Sequence, residues 1–308
     1  MLSILIPTYY YDVTRLVQSL HQQAAKAGID FEIVLLINGS DTQSVETHRK
    51  LKEQNEIKIL ELPTMAARSV ARNFLAGQAK YDYLLFMDCD SETIDNQFIE
   101  RYLPYCEGDE VVVCGGTAYK KQKPPANSYL RWAYGVRTEE KLAEVRNAKP
   151  NAQFSTFNFL IAKKLFLSIR FNELLKNYGH EDTIFGLELK EQGVRIVHID
   201  NPLYHLGIDT NKVYLQKTRE GVKNLKILLE KYANYQELID NIRLLRYYNF
   251  LEKTYTTLFF FGGYSFCKHL MLLNFNSRYP SLTLFNLYKL GYLCGLKYQK
   301  QEELQGDD

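Results

Sequence analysis

Asp88-Cys89-Asp90 directly follows the apolar run at residues 83–87, and two carboxylates spaced two apart as a chain leaves a strand can meet on one side of a turn. Oxygen ligands so arranged suit a divalent cation, above all one that also binds phosphate oxygens. The same pair serves equally as a solvated acidic cap of a loop, and the motif alone leaves both readings open. A second cluster, His180-Glu181-Asp182-Thr183, precedes apolar positions at Ile184, Phe185, Leu187 and Leu189. Asp182 and Thr183 therefore fall near a helix N-terminus, where an acid can do no more than cap. His205, in Pro202-Leu203-Tyr204-His205-Leu206-Gly207, follows the apolar run 195–199. A lone histidine is either a ligand or a structural residue.

The elements that must position these groups follow from periodicity. Residues 2–7, 32–37, 57–60, 83–87 and 110–114 are short apolar runs that read as strands. Between them, 13–27 repeats apolar residues at helical spacing (Val13, Leu16, Val17, Leu20, Ala24), 44–54 is polar and helix-like, and 66–79 is a further helix. Strands alternating with helices predict an α/β fold, a Rossmann-like and mostly parallel sheet covered on both faces. Ligands of such a sheet bind at the carboxyl ends of its strands. Those ends carry Pro7-Thr8-Tyr9, the turn Asn38-Gly39-Ser40-Asp41, and Asp88-Cys89-Asp90. No GxGxxG or GxxxxGK[ST] follows a strand, so neither the usual dinucleotide fingerprint nor a P-loop is present.

The length of 308 residues predicts about two domains. The formal charge of +2 argues against bulk nucleic-acid binding and hides an asymmetry. Residues 1–210 hold 24 basic and 27 acidic side chains, whereas 211–308 hold 14 and 9, with 18 of the 41 aromatics. The boundary is placed at 210, between an α/β domain (1–210) and a helical, basic, aromatic-rich segment (211–308). Within that segment Val222, Leu225, Leu228, Leu229 and Tyr232 mark one helix. Ile239, Ile242, Leu245 and Leu251 suggest another, and Gly262-Gly263 a break. Five cysteines without a CxxC pair argue for a reduced cytosolic compartment. The first residues read as a strand rather than a signal peptide, and the longest uncharged run, 254–267, is too short to span a bilayer.

Together, and in this order, these pieces resemble the family 2 glycosyltransferases, whose fold is GT-A. Residues 3–9 resemble the family's opening strand, and 32–36 with Asn38-Gly39-Ser40 its second strand and nucleotide-side turn. Ala71-Arg72-Asn73 matches its alanine-arginine-asparagine helix and Asp88-Cys89-Asp90 its metal-binding motif. Phe171-Asn172-Glu173 with Gly179-His180-Glu181-Asp182-Thr183 resembles the stretch that ends in its glutamate-aspartate pair, and His205 sits at its last metal- or diphosphate-side histidine.

The resemblance implies a transferase moving one sugar, with inversion, from a nucleotide-diphosphate sugar to an acceptor hydroxyl. It implies a UDP-linked hexose or N-acetylhexosamine and a role in cell-surface polysaccharide or glycolipid assembly. Asp182 would be the general base, with Glu181 beside it. Pro7, Thr8, Tyr9, Asn38, Ser40, Asp41, Arg72 and Asp88 would hold the donor. Asp90, with Asp88 and His205, would hold Mn²⁺ or Mg²⁺, which stabilises charge on the leaving diphosphate. The acceptor would be a saccharide or lipid-linked saccharide, met in the cytoplasm or peripherally at the inner face of the membrane through the C-terminal segment. A homodimer is the other use of that segment, and a helical cap burying the aromatics a third.

The sequence also departs from the family pattern. Ile37 stands where an acid often contacts the nucleotide, Ser91 where many members have a third Asp, and Asn172 where an Asp precedes the glutamate. Arg131-Trp132 is similar to an element of processive synthases but precedes the glutamate-aspartate region, so it reads as a packed Trp beside a surface Arg. Donor choice is expected to lie in loops between 117 and 153. Two other readings stand beside the transferase: a non-catalytic nucleotide-sugar binder, motivated by Ile37, and an Asp-x-Asp phosphatase with Asp88 as nucleophile. The phosphatase expects Thr or Val where Glu92 stands.

Overall fold

The computed structural model describes residues 1–39, 46–48, 51, 53–108, 111–175, 178–231 and 236–298. The chain opens with β1 (Leu2–Thr8), α1 (Thr14–Lys26), β2 (Phe31–Asn38), β3 (Ile57–Leu62), α2 (Arg68–Gln78) and β4 (Tyr83–Met87). It continues with β5 (Ser91–Thr93), β6 (Val111–Cys114), β7 (Thr117–Ala118), α3 (Tyr129–Thr138), α4 (Ala143–Asn147) and β8 (Asn158–Ala162). Then follow α5 (Lys163–Ile169), α6 (Glu181–Glu191), β9 (Arg195–His198) and β10 (Leu203–His205).

Side-chain alternation along each strand decides what lies on either face of the sheet. Leu2, Ile4 and Ile6 of β1 join Leu16, Val17, Leu20 and Ala24 of α1 in one apolar cluster, while Leu5 joins Ala71, Leu75 and Ala76 of α2 in the opposite one. β2 and β4 divide likewise, Ile33, Leu35, Leu85 and Met87 to the first and Val34, Leu36, Leu84 and Phe86 to the second. Each buried Leu, Ile, Val, Phe or Met among them contributes about 1.5–3 kcal/mol. Just before α1 the Asp12 Oδ1 accepts from the Thr14 amide at 2.9 Å, an Asx turn that leads into the helix.

The larger sheet has the order β3-β2-β1-β4-β8-β6-β9. β1 to β4 are parallel, as are β6 and β9, and β8 alone runs antiparallel to its neighbours. The mostly parallel sheet is thus present, with β8 as an addition: its five residues are all buried, and a short continuous apolar run has no period by which to recognise it. The chain reverses its direction of strand addition between β1 and β4. Their carboxyl ends therefore flank the crevice where ligands of open α/β sheets bind. The turn after β2 needs glycine at Gly39, whose φ is +94°. Ser40 and Asp41, with residues 44, 45, 49, 50 and 52 of the helix expected over 44–54, lie outside the described residues.

A second, three-stranded sheet has the order β5-β10-β7. β10 runs antiparallel to β5, with His205 opposite Ser91, and parallel to β7.

By spatial grouping the chain divides into two units. One comprises the described residues of Met1–Lys121, Thr138–Lys176 and Glu181–Gly207, the other those of Gln122–Arg137, Asn177–His180 and Ile208–Asp308. The second contains α7 (Asn211–Lys231), α8 (Gln236–Asn241), α9 (Arg243–Lys253), α10 (Thr257–Phe275) and α11 (Leu282–Leu296).

Three expectations for this unit are corrected. Gly262-Gly263 is no break, since α10 runs through both. Two interior glycines cost about 1 kcal/mol each, and the opposite face of α10 offsets this by packing Tyr264, Met271 and Phe275 with Phe285 and Tyr288. Gly291 and Gly295 of α11 make that packing possible, because a Cβ there would lie 2.3 Å from the Tyr264 ring and 2.6 Å from the Phe261 ring. The single helix expected through 239–251 is two, α8 and α9, divided at Ile242, whose φ −103° and ψ 108° are extended. Lastly, Arg131 is buried rather than on the surface, its guanidinium 5.4 Å from the Tyr214 ring, while Trp132 is half-buried.

Candidate active site

The carboxyl end of β1 turns at Thr8 and Tyr9. Thr8 is buried and its hydroxyl donates to the Tyr11 carbonyl at 3.1 Å, while Tyr9 is half exposed. The Tyr9 ring lies beside Gly39, where an added Cβ would meet it at 3.6 Å, so the ends of β1 and β2 come together there. Asn38 takes another part: its side chain clasps the Ala66 backbone, donating to the carbonyl and accepting from the amide at 2.8 Å each.

Asp88 and Asp90 leave β4 to different partners. Asp88 Oδ1 accepts from Arg72 Nη2 at 2.8 Å. Asp90 Oδ2 lies 3.2 Å from His205 Nε2. The pairing of β5 with β10 explains that contact, since it sets His205 opposite Ser91 and lets the Leu206 amide donate to the Asp90 carbonyl at 2.8 Å. Burial works to raise the Asp90 carboxyl, but the hydrogen bond and charge of His205, with Arg68 behind them, outweigh it and hold the group below its ordinary value. Between the two acids the Cys89 thiol is pushed up to about 12 by burial and by both carboxylates, and it is no nucleophile.

Asp90 and His205 form a pair, and among the described residues no group of three or more His, Cys, Asp and Glu side chains is gathered as a metal cage. The donor set still fits Mn²⁺ or Mg²⁺. The carboxylate oxygen suits either ion, and such ions complete their shell with water and substrate phosphate. His205 Nδ1 is also buried without a hydrogen-bond partner.

Gly207 belongs to this pair although no motif pointed to it. A Cβ built there would fall 1.9 Å from Asp90 Oδ2 and 2.8 Å from its Cγ. Gly207→Ala is therefore expected to turn the carboxylate away from His205 and to weaken Mn²⁺ binding about 10–100-fold. Titration of Mn²⁺ by electron paramagnetic resonance checks this. Unchanged binding would remove Gly207 from the account.

Ala71, Arg72 and Asn73 of α2 divide three tasks. Ala71 packs against the sheet. Asn73 Nδ2 donates to the Phe171 carbonyl at 2.9 Å and to Glu173 Oε1 at 2.8 Å, and Oδ1 accepts from the Phe171 amide at 2.9 Å. Arg72, only 2% exposed, joins Asp88 to Glu181, whose Oε1 is 3.5 Å from Nη1. That Nη1 is buried without a hydrogen-bond partner. One turn earlier Arg68 approaches Glu181 at 3.9 Å. Arg68 at i and Arg72 at i+4 share a helix face, a signal available from spacing alone.

Glu181 and Asp182 begin α6. Asp182 Oδ1 accepts from the Thr183 amide at 2.7 Å, yet burial and the neighbouring Glu181 carboxylate raise its pKa to about 7. It thus sits at a helix start, as a cap does, with the proton affinity of a group poised near neutrality.

Residues 3–170, just over half of the chain, match the glycosyl transferase family 2. The chain belongs to that family. The matched region holds Arg72, Asp88 and Asp90, while Asp182 and His205 lie beyond it.

Among curated proteins, this family 2 glycosyltransferase is 25% identical over 245 residues to the teichoic acid poly(glycerol phosphate) polymerase of Staphylococcus epidermidis. The alignment covers 75% of this chain and 31% of that one, so the chain spans about a third of its curated relative's length. Among solved structures, a mannosyltransferase from Pyrobaculum calidifontis in complex with GDP-Man and Mn²⁺ is similar with a TM-score of 0.58 at 10% identity, covering 96% of this chain and 86% of that one. GalNAc-T7 with UDP, GalNAc and Mn²⁺ reaches 0.50 at 16% identity, covering 67% and 43%. The likeness is of fold, and the fold is GT-A. The phosphatase reading falls with the family assignment, and the acid it needs as a nucleophile, Asp88, is held by Arg72.

Proposed function

We propose that the protein transfers one sugar per encounter, with inversion, from a UDP-linked hexose or N-acetylhexosamine to a hydroxyl of a saccharide or lipid-linked saccharide. The setting is assembly of a cell-surface polymer at the cytoplasmic face of the membrane. The observation that carries the reading is the double engagement of Arg72, at 2.8 Å from Asp88 and 3.5 Å from Glu181. One guanidinium ties the acid at the carboxyl end of β4 to the helix start that bears Asp182. The similarity to a teichoic acid polymerase supports the cell-surface setting, and structures of like fold hold GDP-Man with Mn²⁺ or UDP and GalNAc with Mn²⁺.

In this mechanism Tyr9, Pro7 and Gly39 border the nucleotide, and Arg72 holds Asp88 and Glu181 in place beside its phosphates. Asp182 accepts the acceptor's proton as its oxygen bonds to the anomeric carbon and the carbon–phosphate oxygen bond breaks, which releases the nucleoside diphosphate. A carboxylate suits this because the hydroxyl becomes acidic only as the new bond forms. Asp90 and His205, with Asp88 nearby, would hold Mn²⁺ or Mg²⁺, which would supply charge stabilisation for the leaving diphosphate.

A thermal-shift panel of nucleotides and nucleotide sugars with Mn²⁺ tests the proposal. Selective stabilisation by one diphosphonucleotide is expected, rising with ligand as binding linkage requires. A flat response across the panel would overturn the transferase reading, and stabilisation without product would favour a non-catalytic binder.

A further inference from the structure

α10 presents two unlike faces. Tyr264, Met271 and Phe275 are buried on one side, whereas Phe259 is 87% exposed, Phe266 86%, Leu273 70% and Leu270 65% on the other. At about 100° per residue, these four with Gly262 and Gly263 fall within an arc of roughly 100°. The two glycines have nothing within 4 Å of an added Cβ, which leaves the middle of the stripe flat and open. Tyr255, just before the helix, is 93% exposed and Leu258 62%. The aromatics of this segment therefore do two things: the inner ones form the cap with α11, and the outer ones face away from it.

Charge selects the occupant of the outer face. Residues 243–298 hold seven Lys and Arg and a single carboxylate, Glu252. That carboxylate is itself bound by Lys297 at 3.0 Å. A second copy of this face would bring the same excess of positive charge against it. An anionic lipid surface matches both features, with headgroups for the cations and an apolar boundary for the rings. No helix among the described residues is long and apolar enough to cross a membrane, so the arrangement is one of lying on it.

We propose that α10 rests in the plane of an anionic membrane surface, with Phe259, Phe266, Leu270 and Leu273 set into the headgroup boundary and the exposed Arg243, Arg246, Lys253 and Arg278 supplying the attraction. This goes beyond the transfer chemistry and would bring a lipid-linked acceptor to the enzyme by two-dimensional search.

Flotation of the full chain with phosphatidylcholine vesicles, with and without about one-third phosphatidylglycerol, tests it. The wild-type chain is expected to float with the anionic vesicles, and Phe259→Ser/Phe266→Ser/Leu270→Ser to float about tenfold less or worse. Lys253→Glu/Arg278→Glu should lose the preference for anionic lipid. Circular dichroism and the donor thermal shift report whether each variant is folded, and neither depends on lipid, so failure of the transferase reading would be seen separately. A wild-type chain that stays in the dense fraction, or a triple variant that floats equally well, overturns the proposal. Sedimentation velocity showing a dimer that the triple variant abolishes, with no flotation, assigns the face to a second copy instead.

Discussion

Asp182→Asn is expected to lower sugar transfer about 10²–10⁴-fold while donor binding persists. The amide keeps the shape and the helix-start hydrogen bond to the Thr183 amide but cannot take the acceptor's proton. The wild-type carboxyl, raised by burial and by Glu181 to about 7, is ionised only as pH climbs through neutrality. Transfer is therefore expected to fall about tenfold for each pH unit below that point, as a single required base dictates. Stability follows the opposite sign. A carboxyl raised in the folded state binds its proton more tightly there than in the unfolded chain. Its contribution is full below the ordinary carboxylate range and is lost as pH rises through about 7. Asp182→Asn should then be slow in transfer yet less sensitive to pH in its unfolding midpoint between about pH 4 and about pH 7, the ordinary and the raised value. Initial rates across pH, with donor thermal shifts on the same samples, check both halves. Transfer within a few-fold of wild type would remove Asp182 as base.

The second large effect is expected at Arg72. Arg72→Met leaves Asp88 and Glu181, which are 24% and 10% exposed, without the cation between them. Removing one member of a buried ionic network costs about 3–5 kcal/mol, because the remaining charges stay desolvated. Urea denaturation should show that loss as a lowered midpoint. Arg72→Lys is expected to recover only part of it, since one ammonium cannot reach both carboxylates as a planar guanidinium does. The cost should also shrink in a Glu181→Gln background, where fewer charges are stranded. A midpoint unchanged in Arg72→Met would show that the network adds nothing to the fold.

Local pattern carried much of the architecture. β1, β2, β3 and β4 are short apolar runs whose alternate residues face opposite clusters, and α1 repeats its apolar residues every three or four. These periods belong to a single strand or helix and are written in neighbouring residues. They also place Asp88 at the end of β4 and Glu181-Asp182 at the start of α6. The helix continuing through Gly262-Gly263 was illegible for the complementary reason: the packing of Tyr264 over Gly291 that sustains it joins residues 27 positions apart.

What the sequence by itself determined is the set of groups and the strand ends that carry them: Asp88, Asp90, the Ala71-Arg72-Asn73 helix and the acid pair before an apolar helix. Which of them meet was decided only by tertiary structure. The register of β5 with β10 brings His205 to Asp90 across more than a hundred residues and puts Gly207 where only a hydrogen fits against the carboxylate. Likewise Arg72 finds Glu181 because α2 and the start of α6 pack at the same end of the sheet. Spacing along a chain encodes the direction of a side chain within one element. The distance between elements is set by how their buried faces fit, and no local period contains it.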